Sequence, residues 1–102
     1  MKRAAFVLLA AALSGCVTVG RPFRATQVPL IEIGRTTDRD LLKIFGEPYR
    51  TGIDDGDKTW TYLYYKLRAF GDQKTRDLYI RFGSDGRVMN YSFNSNFPED
   101  RR

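Results

Sequence analysis

Apolar residues fall into two regimes along the chain. Ala4 to Leu13 is an almost unbroken aliphatic run, whereas everything after Arg21 mixes polar and apolar positions. Val17 to Thr26 shows no period and carries the breakers Gly20 and Pro22, so residues 16–25 read as a tether. Thr26 to Ile33 has the makings of one or two helical turns, with Thr26 as cap and Pro29 early enough that its missing N–H is harmless. After Gly34, the series Thr36, Thr37, Asp38, Arg39, Asp40 supplies a hydroxyl cap and two early carboxylates. Leu41 and Phe45 stand four apart and Leu42 and Phe45 three apart, which makes one apolar stripe, and Gly46 with Pro48 stops it. The spacing predicts a helix over Thr37–Phe45.

Beyond a turn-rich stretch from Thr51 to Lys58, the pattern changes to period two. Trp60 to Leu67 is dense in aromatic, β-branched and aliphatic residues, with Trp60, Tyr62 and Tyr64 on one face and Thr61, Leu63 and Tyr65 on the other. A second strand sets Leu78, Ile80 and Phe82 against Tyr79 and Arg81, and Ser84, Asp85, Gly86 turn the chain into a third, Val88 to Phe93. Arg68 to Arg76 is the longer connection, and Asn94 to Arg102 reads as a frayed tail. Helix stripe and strand face must bury one another, because neither is stable alone. The expected fold is α+β: one or two short N-terminal helices packed on a three-stranded antiparallel sheet, in the order ααβββ.

With 102 residues the chain holds one small domain, and the first run must be judged apart from it. Lys2 and Arg3, ten apolar residues and the small residues Ser14 and Gly15 have the layout of a bacterial secretory signal. Ten helical residues cover about 15 Å against roughly 30 Å of bilayer hydrocarbon, so this run is too short to span. Leu13, Ser14, Gly15, Cys16 resembles the lipobox of bacterial lipoproteins. That resemblance implies cleavage after residue 15, a diacylglycerol on the Cys16 sulfur and an acyl chain on its new amino group, these being the only attached groups expected. Val17 stands where aspartate would signal retention at the inner membrane, so the resemblance points to the outer membrane, facing the periplasm.

Cleavage leaves 15 basic against 12 acidic side chains, a modest +3. That excess suits weak contact with anionic phospholipid, and Arg21 and Arg24, close in sequence to the anchor, are the candidate headgroup contacts. With no His and a single Cys, the chain lacks the commonest general base, a disulfide framework and a Cys/His zinc site. Asp54, Asp55, Gly56, Asp57 has a calcium-loop flavour, but Tyr65 sits where the glutamate ligand belongs, so a solvated turn is the better reading. Thr36 and Thr37 have no base beside them and are explained as helix caps. Tyr79, Arg81, Phe82 and Tyr91 invite a base-stacking reading, which export to the periplasm defeats. No catalytic residue, metal ligand or nucleic-acid partner is expected, and the chain reads as a binding protein.

Taken together, Ile33–Gly34, Thr36–Thr37, the helix ending at Phe45, Gly46, Glu47, Pro48, then Trp60 with Tyr62, then Phe82, Asp85, Gly86 and Val88 resemble the SmpA/OmlA (BamE) lipoproteins. The resemblance covers residues 26–93, the expected BamE-like domain, with 94–102 as a C-terminal tail. It implies a small outer-membrane lipoprotein that is an accessory subunit of the machinery inserting β-barrel proteins and touches a lipoprotein partner and phosphatidylglycerol. Two stretches depart from the family's best-known members. Their arm carries Tyr-Arg-Pro-Asp, answered here by Arg21 and Pro22 followed by Phe23 and Arg24. Their first strand has an aromatic after the tryptophan and an arginine four further on, where this chain has Thr61 and Tyr65.

Simple alternation leaves one sheet face away from the helix: Thr61, Leu63, Tyr65, Tyr79, Arg81 and Tyr91, with Met89 and Phe93. Tyr, Phe, Met and Arg are enriched at protein interfaces, which makes this face the candidate partner-binding surface unless the arm or the tail, through Phe23 or Phe97, packs over it. The alternative function is an inhibitor or sensor lipoprotein that binds a secreted periplasmic enzyme. It is motivated by the changes at Thr61 and Tyr65.

Overall fold

The computed structural model describes residues 16–71 and 73–100, so the expected signal peptide, residues 1–15, and the last two residues of the tail lie outside it. In chain order the elements are β1 (Cys16–Gly20), a 3-10 helix (Ala25–Leu30), α1 (Asp38–Phe45), β2 (Arg50–Asp54), β3 (Asp57–Arg68), β4 (Lys74–Phe82), β5 (Val88–Ser95) and a last 3-10 turn (Pro98–Asp100). All pairings are antiparallel, in the order β1-β3-β4-β5, and β2 also pairs with β3.

The sheet therefore has five strands where three are expected, and both extra strands lie on one edge of β3. β2 runs beside Asp57–Thr61, and β1 beside Tyr64–Arg68. Together they occupy one column, broken opposite Tyr62 and Leu63. The stretch read as a tether thus folds back as a strand, because Val17, Thr18 and Val19 find the unpaired edge of β3 waiting for them. β2 was hidden by its composition: Arg50–Asp54 is exposed throughout and has no apolar alternation. Its signal is the Asp55–Gly56 dipeptide, with φ of 50° and 83°, the left-handed pair that a two-residue hairpin turn requires.

α1 forms where the pattern predicts it. Thr37 Oγ1 accepts from the Asp40 N–H at 3.3 Å while the Asp40 carboxylate accepts from the Thr37 N–H at 3.0 Å, a reciprocal cap that holds the Asp40 carboxyl below its usual range. Leu41 is fully buried, but Leu42, placed in the stripe by spacing, is exposed. A two-turn helix has room for only a narrow contact stripe. The earlier helical segment is a 3-10 helix that begins after Arg24 with no side-chain cap, so Thr26 does not serve as its cap, and it buries Val28 alone.

The core lies between this helical layer and one sheet face. Leu41, Leu78, Ile80, Phe82 and Val88 are fully buried, with Phe23, Val28, Ile31 and Tyr62 around them. Phe23 packs edge-on to Phe45 and Phe93 with centroids 6.0 and 6.4 Å apart, so the arm covers the helix side of the sheet. The expected frayed tail is held as well. Phe97 is buried and stacks on Tyr64 at 5.9 Å, and Asp100 is bound to Arg76.

Candidate interaction face

On the side of the sheet away from α1, the register brings five of the six candidate residues together. Thr61 lies opposite Tyr79, Leu63 opposite Asp77, Tyr65 opposite Thr75, and Arg81 opposite Thr59. Tyr91 does not join them. Phe82 pairs with Val88 and Arg81 with Asn90, so Met89 is an extra residue that reverses the alternation of β5. Tyr91 and Phe93 then share a face with Ile80 and Leu78 and pack on the core, while Asn90, Ser92 and Asn94 take the open side. A one-residue bulge is invisible to period-two reasoning, and it converts an expected apolar face into a mostly polar one.

The face divides along β3. Toward the β2–β3 turn it is an ion-pair cluster: Arg81 holds Asp57 through Nε at 2.9 Å and Nη2 at 2.8 Å, its Nη1 lies 3.7 Å from Asp54, and the Tyr79 hydroxyl donates to Asp54 at 3.0 Å. The hairpin sets Asp54 directly opposite Asp57, and Arg81 offsets a repulsion that would otherwise open the turn. The Asp57 hydrogen bond raises the Arg81 pKa further, and desolvation, then Asp54, raises that of Tyr79, so both keep their protons across the physiological range. Asp54 and Asp57 were missed as members of this face. Once Asp55–Gly56 is recognised as a hairpin, period two places both on the side of Thr59 and Thr61.

Toward the other end the face is apolar: Leu63, Tyr65 and Leu67 on β3 beside Val17 and Val19 on β1. Thr61 and Leu63, in the middle of the central strand, are each only 9% exposed, which leaves Tyr65, Tyr79 and Arg81 as the reachable members of the expected set. Neither Phe23 nor Phe97 packs on this side, since both belong to the opposite layer.

The gap between β1 and β2 opens a groove of about 330 Å³ lined by Arg21, Pro22, Glu47, Pro48, Tyr49 and Tyr62 among others. The Arg21 N–H donates to the Leu63 carbonyl at 3.2 Å, so Arg21 sits on this groove, and Arg24 lies just before the 3-10 helix. Both are exposed. Arg21 follows five extended residues, about 17 Å of chain, from Cys16. The basic residues beside Cys16 are instead Arg68, its strand partner, and Lys66, the partner of Thr18.

Among the described residues no three His, Cys, Asp or Glu side chains are arranged to hold a metal ion. Comparison with curated proteins gives no match. Residues 20–92 match the model for the outer membrane protein assembly factor BamE domain, so the chain belongs to the BamE family.

Proposed function

We propose that this protein is a non-catalytic accessory subunit in the assembly of outer-membrane β-barrel proteins, held by lipid on Cys16 at the periplasmic face of the outer membrane. The observation that carries the reading is the family match over 20–92, which spans β2 to β4 and most of β5. That family is one of assembly factors rather than of enzymes. The role is adhesive: Tyr65, Tyr79 and Arg81 present aromatic rings and a guanidinium on a face that neither Phe23 nor Phe97 covers, the side-chain types that anchor protein interfaces.

Rigid placement favours such a role. The face is carried by the three longest strands, and its ion-pair cluster is fixed from two elements, Arg81 on β4 and Asp57 on β3. Binding to it costs little ordering of side chains. The test is affinity recovery of the full lipidated chain from detergent-solubilised envelopes. Co-recovery of β-barrel assembly subunits, lost in a Tyr65→Ala, Tyr79→Ala double variant, is the expected result. Recovery of a secreted hydrolase in their place, with that enzyme inhibited, would replace this reading with the inhibitor one.

A further inference from the structure

The two ends of β3 differ in chemistry. At its start the β2–β3 turn carries Asp54, Asp55 and Asp57, and Ile53, which is 79% exposed, pairs with Lys58 on the opposite face. At its end β3 carries Lys66 and Arg68, Lys74 opens β4, and Phe70 in the connection between them is 90% exposed, the highest value of any large apolar side chain described. Ten residues of extended strand, about 33 Å, separate Lys58 from Arg68, so the sheet has an acidic tip and a distant cationic, apolar tip.

β1 decides which tip matters. Its register puts Cys16 opposite Arg68, Val17 opposite Leu67 and Thr18 opposite Lys66, and Val17 is itself 58% exposed. The described chain therefore begins at the cationic tip, within one strand spacing, about 5 Å, of Arg68. Single exposed apolar residues are ordinary on protein surfaces. Phe70 and Val17 differ from Ile53 in the balance of charge near them in sequence, since Lys66, Arg68 and Lys74 outnumber Asp72 there whereas Asp54, Asp55 and Asp57 outnumber Lys58 at the other tip, and Cys16 enters at the cationic end.

We propose that the β3–β4 tip is a bilayer-contacting wedge: the Phe70 ring enters the interfacial zone of the membrane beside the acyl chains on residue 16, while Arg68 and Lys66 lie against headgroup phosphates. This rests on the lipid anchor put forward under Proposed function. An anchor of acyl chains alone lets a domain pivot. A second contact a few ångströms away, at the high effective concentration that a direct link provides, fixes its tilt and stands the sheet with β3 rising from the surface. The interaction face and the acidic turn are then held out toward the periplasm. Lys66 and Arg68, rather than Arg21 and Arg24, are the cations within electrostatic reach of the lipid.

The test uses the full chain purified from envelopes, its mass measured, then reconstituted into phosphatidylethanolamine and phosphatidylglycerol vesicles whose acyl chains are brominated near the carbonyl. Tryptophan is introduced as Phe70→Trp or, at the acidic tip, Ile53→Trp; both sites are exposed, so neither change disturbs the core, and Trp60 gives a common background. The expected result is an acyl-modified mass, about twofold quenching of the added emission at position 70 and none at position 53. An acyl-modified chain with position 70 unquenched overturns the wedge and leaves the anchor. An unmodified chain with position 70 unquenched overturns both, and a chain quenched equally at 53 and 70 overturns the upright orientation on which the wedge depends.

Discussion

Arg76 and Asp100, one on β4 and the other in the last turn of the described chain, form a two-pronged ion pair, Nε to Oδ2 at 2.7 Å and Nη2 to Oδ1 at 3.1 Å. The same guanidinium donates from Nη1 to the Phe23 carbonyl at 2.7 Å and lies over the Phe97 ring, 4.5 Å from its centroid. One side chain thus ties the arm that follows β1, the central sheet and the C-terminal turn together. With side chains only 10% and 5% exposed, neither charge has water to fall back on.

Removing one partner from such a pair leaves the other buried and uncompensated. Arg76→Ala is therefore expected to destabilise the fold by about 3–5 kcal/mol. Arg76→Lys recovers little of it, because an ammonium supplies neither the fork to Asp100 nor the flat face over Phe97. Urea unfolding of the full chain in detergent checks both. A loss under about 1 kcal/mol for Arg76→Ala would show that the tail is not held this way.

Acid dependence follows from the same carboxylate. Burial alone pushes the Asp100 carboxyl up, but the bonds from Arg76 and Ser95 outweigh it and hold the group below its ordinary value; Lys58 does likewise for Asp38. A carboxyl that titrates lower in the folded than in the unfolded chain contributes stability that is complete above about pH 4 and lost as pH falls through the folded value. The chain has no histidine, so the profile is expected to be level from about pH 5 to 8 and to fall only in acid. Melting temperature against pH, with Asp100→Asn flattening the acid limb, is the measurement.

Gly20 ends β1 with φ of +81°, and a Cβ built there would meet the Leu63 carbonyl oxygen at 2.1 Å. Gly20→Ala is expected to cost at least about 1–2 kcal/mol from backbone conformation alone, before the clash is counted. The loss should concentrate in β1. Faster amide exchange across residues 16–20 and 64–68, with β4 and β5 protected as before, is the signature.

The Tyr62 hydroxyl donates to the Gly46 carbonyl at 2.8 Å, joining the end of α1 to the centre of the sheet. Desolvation in the core, and then Glu47, raises the Tyr62 pKa well above the ordinary tyrosine value, so the neutral donor is the only relevant form. Tyr62→Phe keeps the ring contacts with Phe45 and Phe23 and removes only this bond. It should cost about 1 kcal/mol by chemical denaturation.

How much of this was legible in the residues depends on how local each signal is. α1 was readable because cap, stripe and stop all lie within a dozen residues, and the cores of β3 and β4 because aromatic and branched residues alternate there. β1 was not, since it is a strand only by virtue of a pairing with residues more than forty positions away, and β2 was not because its exposed, non-alternating residues leave the Asp55–Gly56 turn as its local signal. The same limit explains the candidate face. Thr61, Leu63, Tyr65, Tyr79 and Arg81 were assembled correctly from alternation, but Tyr91 was misplaced because the bulge at Met89 answers to packing of Val88, Tyr91 and Phe93 on the core. Arg21 and Arg24 were chosen as headgroup contacts by closeness in sequence to Cys16, and β1 sets Arg21 about 17 Å of extended chain from it.

Site-specific photocrosslinking in living cells reports what touches the open face, with the reactive group placed at Tyr65 or Tyr79 and, as the control, at exposed Leu42 on α1. Adducts with a subunit of the β-barrel assembly machinery are expected from positions 65 and 79 and none from 42. Adducts with that machinery from position 42 alone, or adducts from 65 and 79 with a secreted enzyme instead, would contradict the proposed role.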